Sequence, residues 1–265
     1  MSTRIEINKK LAVVNSASSA VTLLLNVSVL VWLQQYLLKR ISAEEYSLLP
    51  LLMSLMAFAP LFSTFLTSGL SRFKAVACAK GDDDEVTAIC STMFPILSAV
   101  ALLMLAGGVV LSWHIDKIFV IVPERLWDAR IMLGLLVAST AVRLPASVFG
   151  SGFMVRQKLM WEDMITVACQ LVRFALLFIM LFGFSTRVLW VVTASVSSDL
   201  LALAIKLPLS IRLLPAQRVR FRSIRWPLAR DITGYGSWSL VNEVANMIKI
   251  ALDPIVLNRF ATAVD

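Results

Sequence analysis

The sequence predicts an all-α integral membrane protein, a polytopic helical bundle, and three observations carry that prediction. Of its 265 residues, 58% are hydrophobic and only 16% are charged, whereas soluble domains contain about 45–50% apolar and about 25% charged residues. The mean hydropathy is +0.81. Apolar runs long enough to cross a bilayer also recur along the whole chain, separated by short segments that hold most of the charges.

Seven apolar segments are predicted to be membrane spans, since about 20 mostly apolar residues cross a hydrocarbon core of about 30 Å. They are 11–38, 47–69, 86–112, 129–153, 162–183, 188–207 and 234–258. The first follows a basic flank but is longer than the apolar core of a cleavable signal peptide, about 7–15 residues, so we expect it to be retained.

The basic residues predict the orientation. If the N-terminus is cytoplasmic, lysine and arginine concentrate in the inside segments, above all in QRVRFRSIRWPLAR at 217–230, as the positive-inside rule requires. This bias also accounts for the net charge of +8, so we expect no nucleic-acid partner. Arginines alternating with apolar residues favour a loop on the anionic lipids of the inner leaflet, where each cation gains about 1 kcal/mol.

The chain therefore divides into three parts. Residues 1–210 are predicted to form a six-span transmembrane lobe, 211–233 a basic cytoplasmic loop, and 234–265 the seventh span.

Polar side chains form a stripe along the seventh span. Because their spacing is three or four residues, they share one helical face; they are Tyr235, Ser239, Asn242, Asn246, Lys249 and Asp253, with Glu243 at the edge. Shorter stripes are predicted on the first span (Asn15, Ser19, Thr22, Asn26), the fourth (Ser139, Arg143, Ser147, Gly150) and the fifth (Thr166, Gln170, Arg173), and the sixth carries Asp199. The third span is nearly featureless, so we expect it at the lipid edge.

Charges inside a membrane need partners or water, since each costs about 2.5–3.5 kcal/mol at the bilayer centre. Mutual pairing is one interpretation: Arg173 with Asp199 on the next helix, and Lys249 with Asp253 one turn away. Arg143 could pair with Glu243 across the molecule or stay free for an anion. Asparagine, serine and threonine stripes can also serve as interhelical glue. Because polar faces occur on at least four helices, we favour a hydrated, partly cationic cavity.

Several function classes lack their sequence signatures. The chain contains no GxxxxGK[ST], HExxH, GxSxG or CxxC motif. Three cysteines and one histidine in no cluster predict no metal site, and the run GDDDE at 81–85 is interpreted as the capped start of a helix. We therefore expect a protein that is not an enzyme and needs no cofactor.

Four segments together resemble the oligosaccharide and O-antigen flippases of the polysaccharide biosynthesis family, within the multidrug/oligosaccharidyl-lipid/polysaccharide exporter superfamily. The first is an amphipathic start that runs into a polar-striped span, NKKLAVVNSASSAVTLLLNVSVLVWLQQYLLKRISAEEY. The second is PLLMSLMAFAPLFSTFLTSGLSRFKAVACAKGDDDEVTAICSTMF, where Gly69 and Arg72 end span two. The third is FGSGFMVRQK, with Arg156 in the family's basic position.

The fourth segment is YGSWSLVNEVANMIKIALDPIVLNRFATAVD, which is similar to the family's seventh-span pattern of Tyr-Gly, an Asp and an aliphatic run. Tyr235, Gly236 and Asp253 stand at those positions, while Pro254 departs from the pattern. Family members have two pseudo-symmetric lobes around a central cavity, so the resemblance implies a partial chain: the first lobe plus the first helix of the second.

The resemblance implies a flippase of a bacterial inner membrane that moves a polyprenyl-pyrophosphate-linked oligosaccharide to the outer leaflet. The candidates for attracting pyrophosphate are Arg143, Arg173 and Lys249. Those for binding sugar hydroxyls are Asn15, Asn26, Asn242 and Asn246, and those for coupling an ion gradient are Asp199, Glu243 and Asp253. Implied partners are the lipid-linked oligosaccharide, a polysaccharide polymerase and glycosyltransferases. The alternatives are a multidrug or small-molecule exporter of the same superfamily and a non-transporting membrane scaffold.

Overall fold

The fold was analysed in a computed structural model that describes residues 16–20, 22–24, 27, 35, 48–56, 59–119, 121–183 and 187–260. The longer helices are α1 (Leu48–Met56), α2 (Ala59–Lys80), α3 (Asp83–Trp113), α4 (Leu126–Ala146), α5 (Leu159–Gly183), α6 (Val188–Leu213) and α7 (Trp226–Phe260). Short helices cover Ile115–Ile118 and Gly152–Val155, and single 3₁₀ turns cover Pro123–Arg125, Ser147–Phe149 and Phe221–Ser223. Within these ranges there is no β-strand, so the all-α prediction is confirmed.

Four helical segments of the described chain are long and apolar enough to cross a membrane. They are Asp83–Trp113, Pro123–Val155, Leu159–Leu181 and Val188–Leu213, and they correspond to predicted spans three to six. Predicted span two corresponds to α1 and the first half of α2, and predicted span seven lies within α7. The chain is thus a polytopic helical membrane protein.

The start of α3 confirms the capping interpretation of GDDDE. Asp82 is the N-cap, and its carboxylate accepts a hydrogen bond of 2.9 Å from the backbone N–H of Glu85. Three further carboxylates, of Asp83, Asp84 and Glu85, lie in the first turn, where the helix dipole favours negative charge.

The predicted lipid-edge position of the third span is wrong for its first part. Every residue from Val86 to Met93 is buried, because α2, the turn after α4, α7 and the loop before α7 all pack around this end of α3. Large apolar side chains are exposed further along, at Leu102, Leu103, Val109 and Val110. The sequence of α3 contains few polar residues, but the short hydroxyl side chains of Ser91 and Thr92 are buried at this end and bond the loop before α7.

Two glycines bring α2 and α7 into backbone contact. A Cβ atom added at Gly69 would lie well inside 3.0 Å of the carbonyl oxygen of Ile232, and one at Gly236 equally close to that of Phe65. The guanidinium of Arg72 stacks on the ring of Tyr235, 4.4 Å from its centroid, a cation–π contact. The Tyr-Gly pair of α7 therefore fixes this helix to α2.

The opposite end of the bundle carries an aromatic and charged cluster. Trp113 and Trp127 meet edge to face with centroids 6.3 Å apart, and the Arg130 guanidinium lies within 5.6 Å of both rings. Arg130 also pairs with Asp116 at 3.2 Å. Both indoles are about 60% exposed, which suits the tryptophan belt of a membrane–water interface.

Candidate functional site

A partly polar cleft lies between α4, α5 and α6 in the described part of the chain. Its volume is about 180 Å³, and its lining combines Arg143, Ser147, Gly150, Glu162, Lys206 and Ser210 with apolar side chains. The local chain path creates it: Pro145 lies near the end of α4, which gives way to the 3₁₀ turn Ser147–Phe149. We call this concavity the cationic cleft.

Arg143 anchors the end of the cleft nearest the middle of the helices. Its guanidinium pairs with the carboxylate of Asp199 at 3.2 Å. The pair joins α4 to α6, yet the two side chains are 60% and 43% exposed. The predicted Arg173–Asp199 pair is therefore wrong, and so is the alternative pair of Arg143 with Glu243.

Arg173 lies nearby on α5. Its Nε is buried without a hydrogen-bond partner in the described chain, and the charge of Asp199 attracts it without direct pairing. Among the described residues, Asp199 thus forms an ion pair with Arg143 and not with Arg173.

Lys206 forms the other half of the cleft. Its ammonium group lies 3.6 Å from the Glu162 carboxylate and donates a hydrogen bond of 2.8 Å to the hydroxyl of Thr166. This hydroxyl in turn donates to the backbone carbonyl of Glu162. A network of lysine, carboxylate and hydroxyl thus joins α6 to the first turns of α5, and the lysine and glutamate side chains are 25% and 35% exposed.

The arrangement fixes what the cleft can do chemically. Arg143 and Lys206 are the two donors that suit phosphate oxygens, arginine through paired N–H groups and lysine as a point charge. Each is already held by one carboxylate, so the cleft is close to neutral. An anionic ligand would have to compete with Asp199 and Glu162 for these cations, and the exposure of both pairs leaves them open to that competition.

A second polar cluster, centred on Lys74, is fully buried. The Lys74 ammonium donates hydrogen bonds to the carbonyl of Val148 and, at 3.0 Å, to the side-chain oxygen of Gln217. Burial lowers the pKa of Lys74 from its ordinary 10.5 and raises that of the neighbouring Cys78 thiol from 9.0. Lys74 is only 1% exposed, so we assign this cluster to structure: it ties α2, the turn after α4 and the loop before α7 together.

The remaining predicted site residues do not enter the cationic cleft. Asn242 and Asn246 are exposed on α7, and Glu243, half-buried beside them, forms no ion pair with any described residue. Lys249 and Asp253 lie on the α7 backbone, but their side chains are outside the described part of the chain. Asn15 and Asn26 also lie outside the described residues.

Sequence reasoning missed Lys206 and Glu162 as members of the site. Lys206 stands at the end of a predicted span, where it counted only as one more inside cation. A signal was present nonetheless: Asp199, Lys206 and Ser210 recur at spacings of seven and four, which puts all three on one face of α6.

Comparison with known proteins agrees with the membrane class. No protein-family model matches the chain, and no solved structure matches it. A curated protein of Bacillus subtilis (strain 168), described as "Uncharacterized membrane protein EpsK", is 21% identical over 250 residues. The match covers 92% of this chain and 48% of that protein, so the chain spans about half the length of the curated relative that it matches.

Proposed function

We propose that this chain contributes the first six-span lobe and the first helix of the second lobe to a transporter. Its substrate would be a polyprenyl-pyrophosphate-linked oligosaccharide, moved from the inner to the outer leaflet of the bacterial inner membrane. The resemblance described above supports this substrate, and the match to one half of a longer membrane protein is compatible with a two-lobed whole.

The cationic cleft is the observation that carries the proposal. It opens between three helices of membrane-crossing length and offers a guanidinium and an ammonium to one cavity. Two cationic donors suit the two phosphate groups of pyrophosphate. Serine hydroxyls on the same lining, at Ser147 and Ser210, can donate to phosphate or sugar oxygens once their present carbonyl bonds are released.

The proposal is tested by removing one cation at a time. Arg143→Ala and Lys206→Ala in the full-length protein should each abolish surface glycan and leave the lipid-linked intermediate on the inner leaflet, with protein levels unchanged. Arg212→Ala is the matched control, because Arg212 is exposed on the same helix as Lys206 and lies outside the cleft. This variant should export glycan normally.

Normal surface glycan in both cleft variants would contradict the proposal. If a deletion strain instead became sensitive to toxic small molecules and kept its glycan, the exporter alternative would replace it.

A further inference from the structure

The loop between α6 and α7 is bound to the protein through its backbone. The N–H groups of Arg220 and Arg225 donate hydrogen bonds of 2.8 and 3.0 Å to the hydroxyls of Ser91 and Thr92 on α3. Near the start of the loop the side-chain oxygen of Gln217 accepts from the buried Lys74. Segment 214–225 is therefore a folded element.

The same loop turns its charges outward. Arg218, Arg220, Arg222 and Arg225 are all exposed, and none of them forms an ion pair with a described residue. Phe221 is 74% exposed between them, and Trp226, the first residue of α7, is 69% exposed. We call these four arginines and two aromatic residues the arginine surface.

The anchoring hydroxyls set the depth of the arginine surface relative to the bilayer. The stretch of α3 without charged side chains runs from Val86 to Trp113 and is longer than the about 20 residues that cross a hydrocarbon core. Ser91 and Thr92 lie in the first turns of this stretch, close after the acidic residues at 82–85. The loop is therefore attached near the end of α3 at which the helix enters the membrane, close to the level of the lipid headgroups.

We propose that the arginine surface binds the headgroups of anionic phospholipids in the membrane that surrounds the protein. Its exposed guanidinium groups carry positive charge that complements the phosphates of anionic lipids, with a gain of about 1 kcal/mol for each cation near the surface. Phe221 and Trp226 are placed to enter the interfacial layer that aromatic side chains prefer. This site does not depend on what the protein transports, so the proposal stands or falls separately from the proposed function.

The test is a lipid titration of the purified chain in neutral detergent, with bound lipid counted by native mass spectrometry. Wild-type protein should bind phosphatidylglycerol more tightly than phosphatidylcholine. Each arginine contributes about five-fold to the affinity for an anionic surface, so Arg220→Gln, Arg222→Gln and Arg225→Gln combined should weaken phosphatidylglycerol binding by on the order of 100-fold.

Two further variants separate a specific site from general charge. Lys80→Gln, Lys158→Gln and Arg212→Gln combined remove the same charge from exposed positions outside the loop, and this control should bind within a few-fold of wild type. A variant with lysine at the three loop positions should keep most of the affinity.

The proposal is overturned if the control weakens binding as much as the loop variant, or if wild type does not distinguish the two lipids. Loss of affinity in the lysine variant equal to that in the glutamine variant also overturns it. So does displacement of phosphatidylglycerol by an equal concentration of inorganic pyrophosphate, because the surface would then be a soluble-phosphate site.

Discussion

The crossing of α2 and α7 makes a sharp prediction about single methyl groups. Gly236→Ala places a Cβ atom against the backbone carbonyl of Phe65, far inside the 3.4 Å at which ordinary van der Waals contact begins. A backbone atom cannot turn aside as a flexible side chain can, so the two helices must separate. A gap of about 0.5–1 Å already forfeits a quarter to a half of the dispersion attraction between facing atoms.

The expected cost is about 1–3 kcal/mol, the usual range for an overpacked contact. At roughly 2–4 °C per kcal/mol for chains of this size, Gly236→Ala should lower the melting temperature by several degrees. Gly69→Ala should act in the same way, because its Cβ would meet the Ile232 carbonyl. The matched control is Gly234→Ala: this glycine lies two residues earlier on α7 with nothing within 4 Å of the added Cβ.

The control should be neutral or slightly stabilising, since alanine is up to about 1 kcal/mol better than glycine within a helix. A thiol-reactive fluorophore gives the assay, because Cys78, Cys90 and Cys169 are all free and buried and become reactive only on unfolding. Equal melting temperatures for the variants at 234 and 236 would refute the close crossing.

Three further predictions concern polar contacts. Because burial lowers the pKa of Lys74, the unfolded chain binds more protons, so stability should rise as pH increases through the folded-state pKa toward 10.5. Tryptophan-monitored melting below about pH 8, where ordinary thiols with a pKa of about 8.5 stay mostly protonated, should show this rise, and Lys74→Met should remove it. The double variant Ser91→Ala, Thr92→Ala removes two hydrogen bonds to the loop, worth about 0.5–1.5 kcal/mol each, so trypsin should cleave the arginine-rich loop roughly ten-fold faster. Ser195→Ala is the control, because the Ser195 hydroxyl bonds a carbonyl of its own helix, and it should leave the cleavage rate unchanged. Asp199→Asn should shift the melting temperature by no more than about 2–4 °C, since an exposed ion pair contributes about 0–1 kcal/mol; a larger drop would show that the pair holds α4 and α6 together.

Much of the fold could be predicted from hydropathy, because burial in lipid places a strong and uniform demand on composition. Four predicted spans correspond to helices of membrane-crossing length, and the acidic run before α3 was recognised as a cap because the chemistry of a helix start is local. The helix α2 continues beyond the predicted span, which ends at residue 69. Its last turns, through Lys74 to Lys80, are held by contacts with α3 and the distant loop that no local pattern reveals.

The partners of the charged residues could not be predicted from the sequence. Helical periodicity shows which residues share one face, but it does not show which faces meet in the folded bundle. Arg173 and Asp199 each lie near the middle of their helices, and their pairing was predicted because both would lie at the same depth in the membrane. The structure instead turns Asp199 toward Arg143, because α6 packs between α4 and α5 and contacts both.

The cleft also changes the argument that the polar stripes first suggested. The sequence left open whether these cations are free or held in isolated pairs. In the cleft, Arg143 and Lys206 are paired, yet both pairs remain partly open on a shared cavity. Exposed ion pairs of this kind stabilise a fold by only about 0–1 kcal/mol. Holding the helices together is therefore not a sufficient reason for these ionisable groups to lie on membrane helices. They do, however, keep a cation in place at low cost until a stronger anion competes for it. An uncompensated charge at that depth would be far more costly to maintain, so pairing with an accessible carboxylate lets a membrane helix carry a cation that a substrate anion can still reach.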